Sequence, residues 1–480
     1  MPRTDARILA LDLGSSSARA LVLDGSATPL PGAIARHPVT PSYGADGAAT
    51  FDLDGYIGGL FGCLDELSAA GLLDGVEHIV MSSQWHSIVA LDNLSRPLSP
   101  VVPWVDTRSV PRRVGTSFDE HAFHARTGTW LHRLYWTRRI PWLVESCGAS
   151  RFAGLPDLVL ARLTGSLVSS VSVASGTGLL DLASGRYDEE ALAIAGVSAD
   201  ALPELVGSSW TGELLPDFTR RWPALAGVPV HPPTGDGAAS NVGSGAYDAR
   251  TAAVTVGTSA AVRVVHPVDG APELPWELWR YRVDDTRAVT GMAFSAAGNL
   301  FAWLSDLLDL PPSEREPVGI EPGAARVVAI PFQAGTRPPE TVRSGSGVFF
   351  GLSFDDTRAD LLAAVLQSAA LEVDRGLRML DDLFGPLDVV LGGGAIHASA
   401  WWRRCMAAAF GRPAQLCAEP EVGARGAAAI ALCLSPTPGG KTVTPDPADV
   451  ARLASAKEPY AAYRGLAVAA APIGDQPDRT

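Results

Sequence analysis

Cysteine is scarce: Cys63, Cys147, Cys405, Cys417 and Cys433 are the only five in 480 residues. Their odd number and wide spacing suit neither a disulfide frame nor zinc-ligand pairs. They point to reduced, mostly buried thiols in a cytosolic protein. Long apolar runs are missing as well. No window of eighteen or more apolar residues occurs, so neither a membrane span nor a membrane partner is expected. The apolar stretch at residues 8–13 is broken by Asp12 and reads as a strand rather than a signal peptide, which leaves a cytoplasmic location as the expectation. Positive charge is outweighed, with 38 Lys and Arg against 52 Asp and Glu, a net −14. That balance argues against a nucleic-acid partner, which needs a basic face. The chain also has no Gly-x-x-x-x-Gly-Lys phosphate loop, no dinucleotide fingerprint and no Gly-x-Ser-x-Gly elbow. A nucleotide would have to be held in another way. At 480 residues the chain is long enough for two domains, each with its own core.

What is present is organised around residues 234–265, TGDGAASNVGSGAYDARTAAVTVGTSAAVRVV. One carboxylate, Asp236, lies between Gly235 and Gly237. A hairpin follows, in which runs of Val and Ala bound the turn Gly257-Thr258-Ser259. Glycine lets backbone approach a ligand closely, and free N–H groups and hydroxyls suit phosphate oxygens. The same device occurs at residues 8–24, ILALDLGSSSARALVLD, with Gly14, Ser15, Ser16 and Ser17 in the turn. Strand, glycine with hydroxyls, strand therefore stands near the start of each half. Either hairpin alone is an ordinary polar turn. The pair, with Asp12 in the first strand and Asp236 just before the second, suggests two related domains serving one nucleotide.

Along the chain, periodicity predicts a helix from Leu53 to Leu73 and two strands around Ser82-Ser83-Gln84-Trp85-His86. The stretch 125–146 is aromatic and basic and ends in a helix. Residues 151–182 read as short strands alternating with turns. The domain boundary is placed near residue 245, giving domains 1–245 and 246–445 and an extension 446–480 whose last residues are loose. In the second half, Gly298-Asn299 opens an amphipathic helix, and 327–340 is a strand running into an irregular loop. A long helix spans 357–384 with Thr357 and Asp360 near a capping box. Residues 387–399 are strand, glycine loop, helix, and 424–434 is a buried helix.

Phosphoryl transfer to a hydroxyl needs a grip on the γ-phosphate, a divalent cation, and a group that orients and deprotonates the acceptor. The hairpin amides can grip, Asp12 can hold magnesium through water, and Asp236 can act as base. Asp-Gly is also a common turn pair, whereas an acid inside an apolar strand needs a partner. Gly392-Gly393-Gly394 after a strand can bring backbone against a nucleotide or simply mark a tight turn. Trp85, His86, Trp104, Asp106, Arg108 and Tyr135 form a further group. Ring faces with an acid and a base suit a polyhydroxylated ligand, and core packing explains each residue equally well alone.

These residues, in this order, resemble the FGGY carbohydrate kinases from about residue 7 to about 434. DLGSSSAR resembles the family's first phosphate motif and VGTS its second. GDGAASN resembles the segment with the catalytic aspartate, GGGAIHAS the adenosine motif, and GVFFGLSFDDTRADLLAAVLQ (347–367) the C-terminal signature. The resemblance implies an α/β fold of two ribonuclease H-like domains, as in actin and hexokinase, with ATP and sugar in the cleft between them. It implies Asp236 as general base and Asp12 at magnesium. Gly14, Ser15, Ser16, Gly257 and Thr258 would face the phosphates, and Gly298, Gly394 and Ala395 the nucleoside. Trp85, His86, Asp106 and Tyr135 would line the sugar pocket. The blocks QWHSIVALD, RPLSPVVPWVDTRS, ARTGTWLHRLYW and ASGTGLLD resemble the gluconate kinases of that family most. Gly237 stands where glycerol and xylulose kinases commonly carry Gln, and it is expected to leave room for a longer substrate. His86, Arg108, Arg138 and Arg139 are the candidate grips for a carboxylate. Two departures bear on the substrate and leave the kinase reading intact. Residues 335–339, GTRPP, replace a usual acid and serine, and Arg138-Arg139 stands where a lysine is common. The expectation is therefore an ATP- and magnesium-dependent kinase making 6-phosphogluconate from gluconate, with a homodimer left open. The alternatives are a pentulose or polyol kinase, and a non-catalytic nucleotide switch of the actin or chaperone type.

Overall fold

The computed structural model describes residues 6–44, 46–111, 114–115 and 118–471. It falls into two compact units. The first comprises Met1–Gly243, Val265–Val289 and Glu421–Thr437, and the second comprises Ser244–Val264, Thr290–Pro420 and Pro438–Thr480.

In the first unit, strand Arg7–Leu13 pairs antiparallel with Ser17–Asp24, which pairs antiparallel with Pro29–Pro38. On its other side it runs parallel to Val76–Ser83, which is itself parallel to Thr234–Gly235. Arg7–Leu13 is buried along nearly its whole length because both faces of the sheet are covered. Leu9, Leu11 and Leu13 share a core with Leu60 and Leu64 of helix Leu53–Ala69. Ile8 and Ala10 pack instead with Ala424, Ala427 and Ala428 of helix Val422–Ala431. Alternation along a strand therefore puts Asp12 on the face of that second helix.

The second unit repeats the plan. Thr251–Val256 pairs antiparallel with Ala260–Pro267 and parallel with Asp388–Gly392, which is parallel to Ala414–Cys417. Edge strand Gly439–Val443 adds an antiparallel pair. Helix Arg358–Phe384 starts as its sequence predicts: the Thr357 N–H and hydroxyl both donate to Asp360 Oδ2, at 2.8 and 2.6 Å.

One stretch differs from the expectation, and two further helices were not foreseen. Residues 155–164, LPDLVLARLT, form a helix rather than strands. Its start is fixed by the Gly154 N–H donating to Asp157 Oδ2 at 2.8 Å. It is too short and too apolar for periodicity to separate helix from strand. Glu120–Thr127 is also helical, capped by Asp119. The extension 446–480, whose last residues alone are expected to be loose, forms a 24-residue helix, Pro447–Ala470, preceded by strand Gly439–Val443; residues 472–480 lie outside the described set. That helix is tied to Arg358–Phe384 by polar bonds: Lys457 to Asp374 at 2.9 Å, Arg464 to Glu372 at 2.6 Å, and the Tyr460 hydroxyl to Glu372 at 2.8 Å. It buries only Asp449, Leu453, Tyr460 and Ala467, so no apolar stripe announces it.

Candidate active site

The parallel strands of the first unit end together. Asp12 is opposite Ser82, and Ser82 is opposite Thr234; one step on, Leu13, Ser83 and Gly235 align, and Asp236 follows. The carboxyl ends of parallel strands are where α/β sheets place their ligands. Asp236 opens helix Asp236–Gly243 and is half-buried, and its Oδ1 accepts from the Gly237 N–H at 2.8 Å.

Asp12 is 5% exposed and ion-paired with Arg19 through Oδ2. Arg19 also reaches Glu421 at 2.8 Å, and Glu421 holds Arg36 as well. The acid in the apolar strand thus has the partner it needs. Its Oδ1 faces Gly423 at the start of helix Val422–Ala431, where Ser82 Oγ also lies. The buried Ser82 Oγ and Gln84 Oε1 take no hydrogen bond. One carboxylate with neutral oxygens suits a magnesium ion that keeps several waters. Among the described residues no group of three or more His, Cys, Asp or Glu exists to hold a metal by protein charge alone.

The first turn is pinned from below, since Gly14 O accepts from the Tyr56 hydroxyl at 2.8 Å and from Gln84 Nε2 at 3.3 Å. Ser15 is half-buried and Ser16 exposed. In the second unit the nucleotide candidates come together. The Gly298 N–H donates to Gly257 O and the Asn299 N–H to Thr258 O, both at 3.0 Å. Ala395 lies beside Gly298, and Gly394 is exposed at the start of helix Gly394–Ala398.

Trp85 is more deeply engaged than its sequence suggests. Its indole N–H donates to Ser172 O at 3.0 Å, and the residue is 6% exposed. A Cβ on Gly235 would lie 2.0 Å from the ring, and one on Gly237 would lie 2.4 Å from it. The ring therefore braces the backbone on both sides of Asp236. This corrects the expectation for Gly237, because indole fills the space that a longer substrate was to use.

His86 has a positive φ of 69°. Its Nδ1 faces Gly176 O at 2.6 Å, so that nitrogen carries the proton. Tyr135 packs edge-on to His86 at 5.5 Å, but it is 1% exposed and its hydroxyl meets that of Tyr281 at 2.8 Å. Tyr281 and Trp279 both pack on Trp85 and stack on each other at 4.6 Å. The sequence reading missed these two residues; the signal was three aromatic residues, Trp276, Trp279 and Tyr281, within six positions.

Asp106 has a fully buried side chain. Its carboxylate accepts from the Ala49 N–H at 2.8 Å and takes the Arg108 guanidinium at 2.7 Å. Arg108 in turn lies over the Trp142 ring. Arg139 is wholly buried and donates to the carbonyls of Arg133, His86 and Asp106 at 3.0, 3.1 and 2.7 Å. Burial pulls its pKa down to about 10. It is a structural clamp linking His86 to Asp106, which removes it as a carboxylate grip. Arg138 donates to Val110 O at 2.9 Å.

Histidines give the first unit an acid limit. Burial pushes His124 down to about 4, and burial with neighbouring His78 does the same to His231. Burial and Arg280 depress His266 to about 4. Unfolded histidine titrates near 6.5, so these groups contribute stability above that pH and lose it as pH falls toward 4. Each unit of depression is worth roughly 1.4 kcal/mol. Asp157 acts in the opposite sense. Burial raises it to about 7, so its contribution is full below about 4 and lost as pH rises through 7. Three histidines against one acid leave a net loss in acid. Thermal melts should show Tm falling steeply between pH 6.5 and 4.5, and His124→Gln, which can still donate to Leu278 O, should flatten the fall. A Tm independent of pH over that range would refute this account.

Residues 7–243 match the model of the FGGY family of carbohydrate kinases, N-terminal domain, and residues 252–434 match its C-terminal domain. The chain is 27% identical to the gluconokinase of Bacillus subtilis (strain 168) over 363 residues, 70% of each protein. It is 28% identical to the xylulose kinase of Escherichia coli (strain K12) over 406 residues, 82% of this chain and 83% of that one. The crystal structure of gluconate kinase from Lactobacillus acidophilus superimposes with a TM-score of 0.86 at 21% identity, covering 97% of this chain and 99% of that one. Two family models in register, on a fold that repeats one strand plan in two units, show that the chain belongs to the FGGY family of carbohydrate kinases.

Proposed function

We propose that this ATP-dependent carbohydrate kinase phosphorylates gluconate on its terminal hydroxyl, with Asp236 as general base. The observation that carries the chemistry is the joint ending of three parallel strands at Asp12, Gln84 and Asp236. Asp236 takes the proton of the acceptor hydroxyl as its oxygen bonds to the γ-phosphorus and the bond to ADP breaks. Asp12 Oδ1, Ser82 Oγ and Gln84 Oε1 would hold magnesium, which when bound offsets phosphate charge. Gly14, Ser15 and Ser16 in the first unit, and Gly257 and Thr258 in the second, offer phosphate contacts. Gly298, Gly394 and Ala395 offer room for the nucleoside. Trp85 braces the base, and His86 is the half-buried group beside it that can meet substrate.

The choice of gluconate is supported by the sequence blocks around Trp85, Asp106 and Tyr135 and by the gluconokinase relative. A neutral pentulose such as xylulose is the second reading. It is favoured by the commitment of Arg139 to carbonyls and of Arg108 to Asp106, which leaves little positive charge for a carboxylate. A coupled assay over gluconate, xylulose, ribulose and glycerol decides between them. Gluconate should lead in kcat/KM. A neutral sugar ahead by more than about tenfold, roughly 1.4 kcal/mol in the transition state, would reject gluconate and keep the kinase.

A further inference from the structure

The second unit holds a cavity of about 370 Å³ among strand Val328–Ile330, helix Arg358–Phe384 and helix Pro447–Ala470. Its residues are distinct from the nucleotide candidates Gly257, Thr258, Gly298, Gly394 and Ala395. The lining carries Arg326 and Arg452 and no acid, in a chain whose net charge is −14.

Two polar groups point to an occupant. Gln367 is 5% exposed, and its Oε1 accepts from the Gly323 N–H at 3.1 Å. That bond fixes the amide orientation and leaves Nε2, a donor without a protein partner, on the cavity side. Across from it, Pro459 lies inside the C-terminal helix. A proline has no N–H to give, so the Ser455 carbonyl one turn earlier loses its helical donor, and both residues line the cavity. Arg452 is held in place by Asp449 and by Pro322 O at 3.0 Å, and Arg326 by Asp356 at 2.9 Å. The Tyr463 ring, stacked on Phe350 at 4.5 Å, gives one apolar wall.

Two guanidinium groups, each paired with one carboxylate and keeping N–H groups to give, one donor amide and one carbonyl without its helical donor call for a ligand with both an anionic group and hydroxyls. We propose that this cavity binds a small hydroxylated organic anion, bearing phosphate or carboxylate, at a site separate from the reaction. The Ser455 carbonyl takes a ligand hydroxyl, while Gln367 Nε2 and the remaining N–H groups of Arg326 and Arg452 take the anion.

Isothermal titration with 3-phosphoglycerate, glycerate, inorganic phosphate and glycerol tests this. 3-Phosphoglycerate should bind the wild type with a millimolar or tighter Kd, and glycerol should not bind. Glycerate against inorganic phosphate tells which anionic group is preferred. Ala456→Trp fills the cavity and should weaken binding at least about tenfold, with kcat on the best sugar unchanged within about twofold. Arg326→Gln, at a mostly exposed position where misfolding is no concern, should weaken it at least about threefold. Absence of binding at about 10 mM, or equal binding by wild type and both variants, would overturn the proposal.

Discussion

Asp236→Asn should lower kcat by roughly a hundred- to ten-thousand-fold while KM for the sugar stays within about threefold. The asparagine Oδ1 can keep the bond from the Gly237 N–H, now 2.8 Å, so the start of helix Asp236–Gly243 has no reason to move. Trp85 packs against glycine backbone on either side and is untouched by the exchange. What disappears is the carboxylate proposed to accept the hydroxyl proton. A loss confined to kcat separates a base from a binding residue, whose removal raises KM. Turnover within a few-fold of wild type, with an unchanged melt, would remove Asp236 from the mechanism.

The sequence displayed this fold unevenly, for physical reasons. Both hairpins were legible because apolar strands and glycine turns are local signals. Helix Arg358–Phe384 was legible because a capping box and a full apolar face agree. Helix Pro447–Ala470 was not, because buried ion pairs rather than an apolar stripe hold it. The site shows the same division. That Asp12 and Asp236 lie at neighbouring strand ends could be anticipated, because an acid in an apolar strand, or between glycines, is chemically conspicuous. Arg139 looked like a carboxylate grip and proves to bind backbone carbonyls, since a long cation carries no mark of the direction it takes. Trp279 and Tyr281 could not be linked to Trp85 because nearly two hundred positions separate them, and only the folded chain brings the rings together. Gly237 gives the sharpest case: an absent side chain reads as space in a sequence and is filled by indole in the structure.

The second large effect concerns what holds Asp236 in place. Helix Asp236–Gly243 crosses helix Val422–Ala431 at close backbone distance, with Ala238 and Ala239 fully buried. At the crossing, a Cβ on Gly426 would lie 1.7 Å from Ala239 O, and one on Gly243 would lie 1.9 Å from Val422 O. Both obstacles are backbone, so no rotamer change relieves them. Even a methyl group must push the helices apart, displacing the element that begins with Asp236 and the one that abuts Asp12. Gly426→Ala should therefore cost more than about 3 kcal/mol, above the usual range for overpacking, although alanine is intrinsically the better helix residue. Tm should fall by roughly 6–12 °C, and kcat should fall with it. Gly465→Ala supplies the control. It is also helical, its Cβ meets nothing within 4 Å, and it should be neutral or stabilising by up to about 1 kcal/mol. Equal melts for the two variants would mean that the helices do not cross at Gly426. A large loss at Gly426 alone would tie the position of the Asp236 carboxylate to a contact between two backbones.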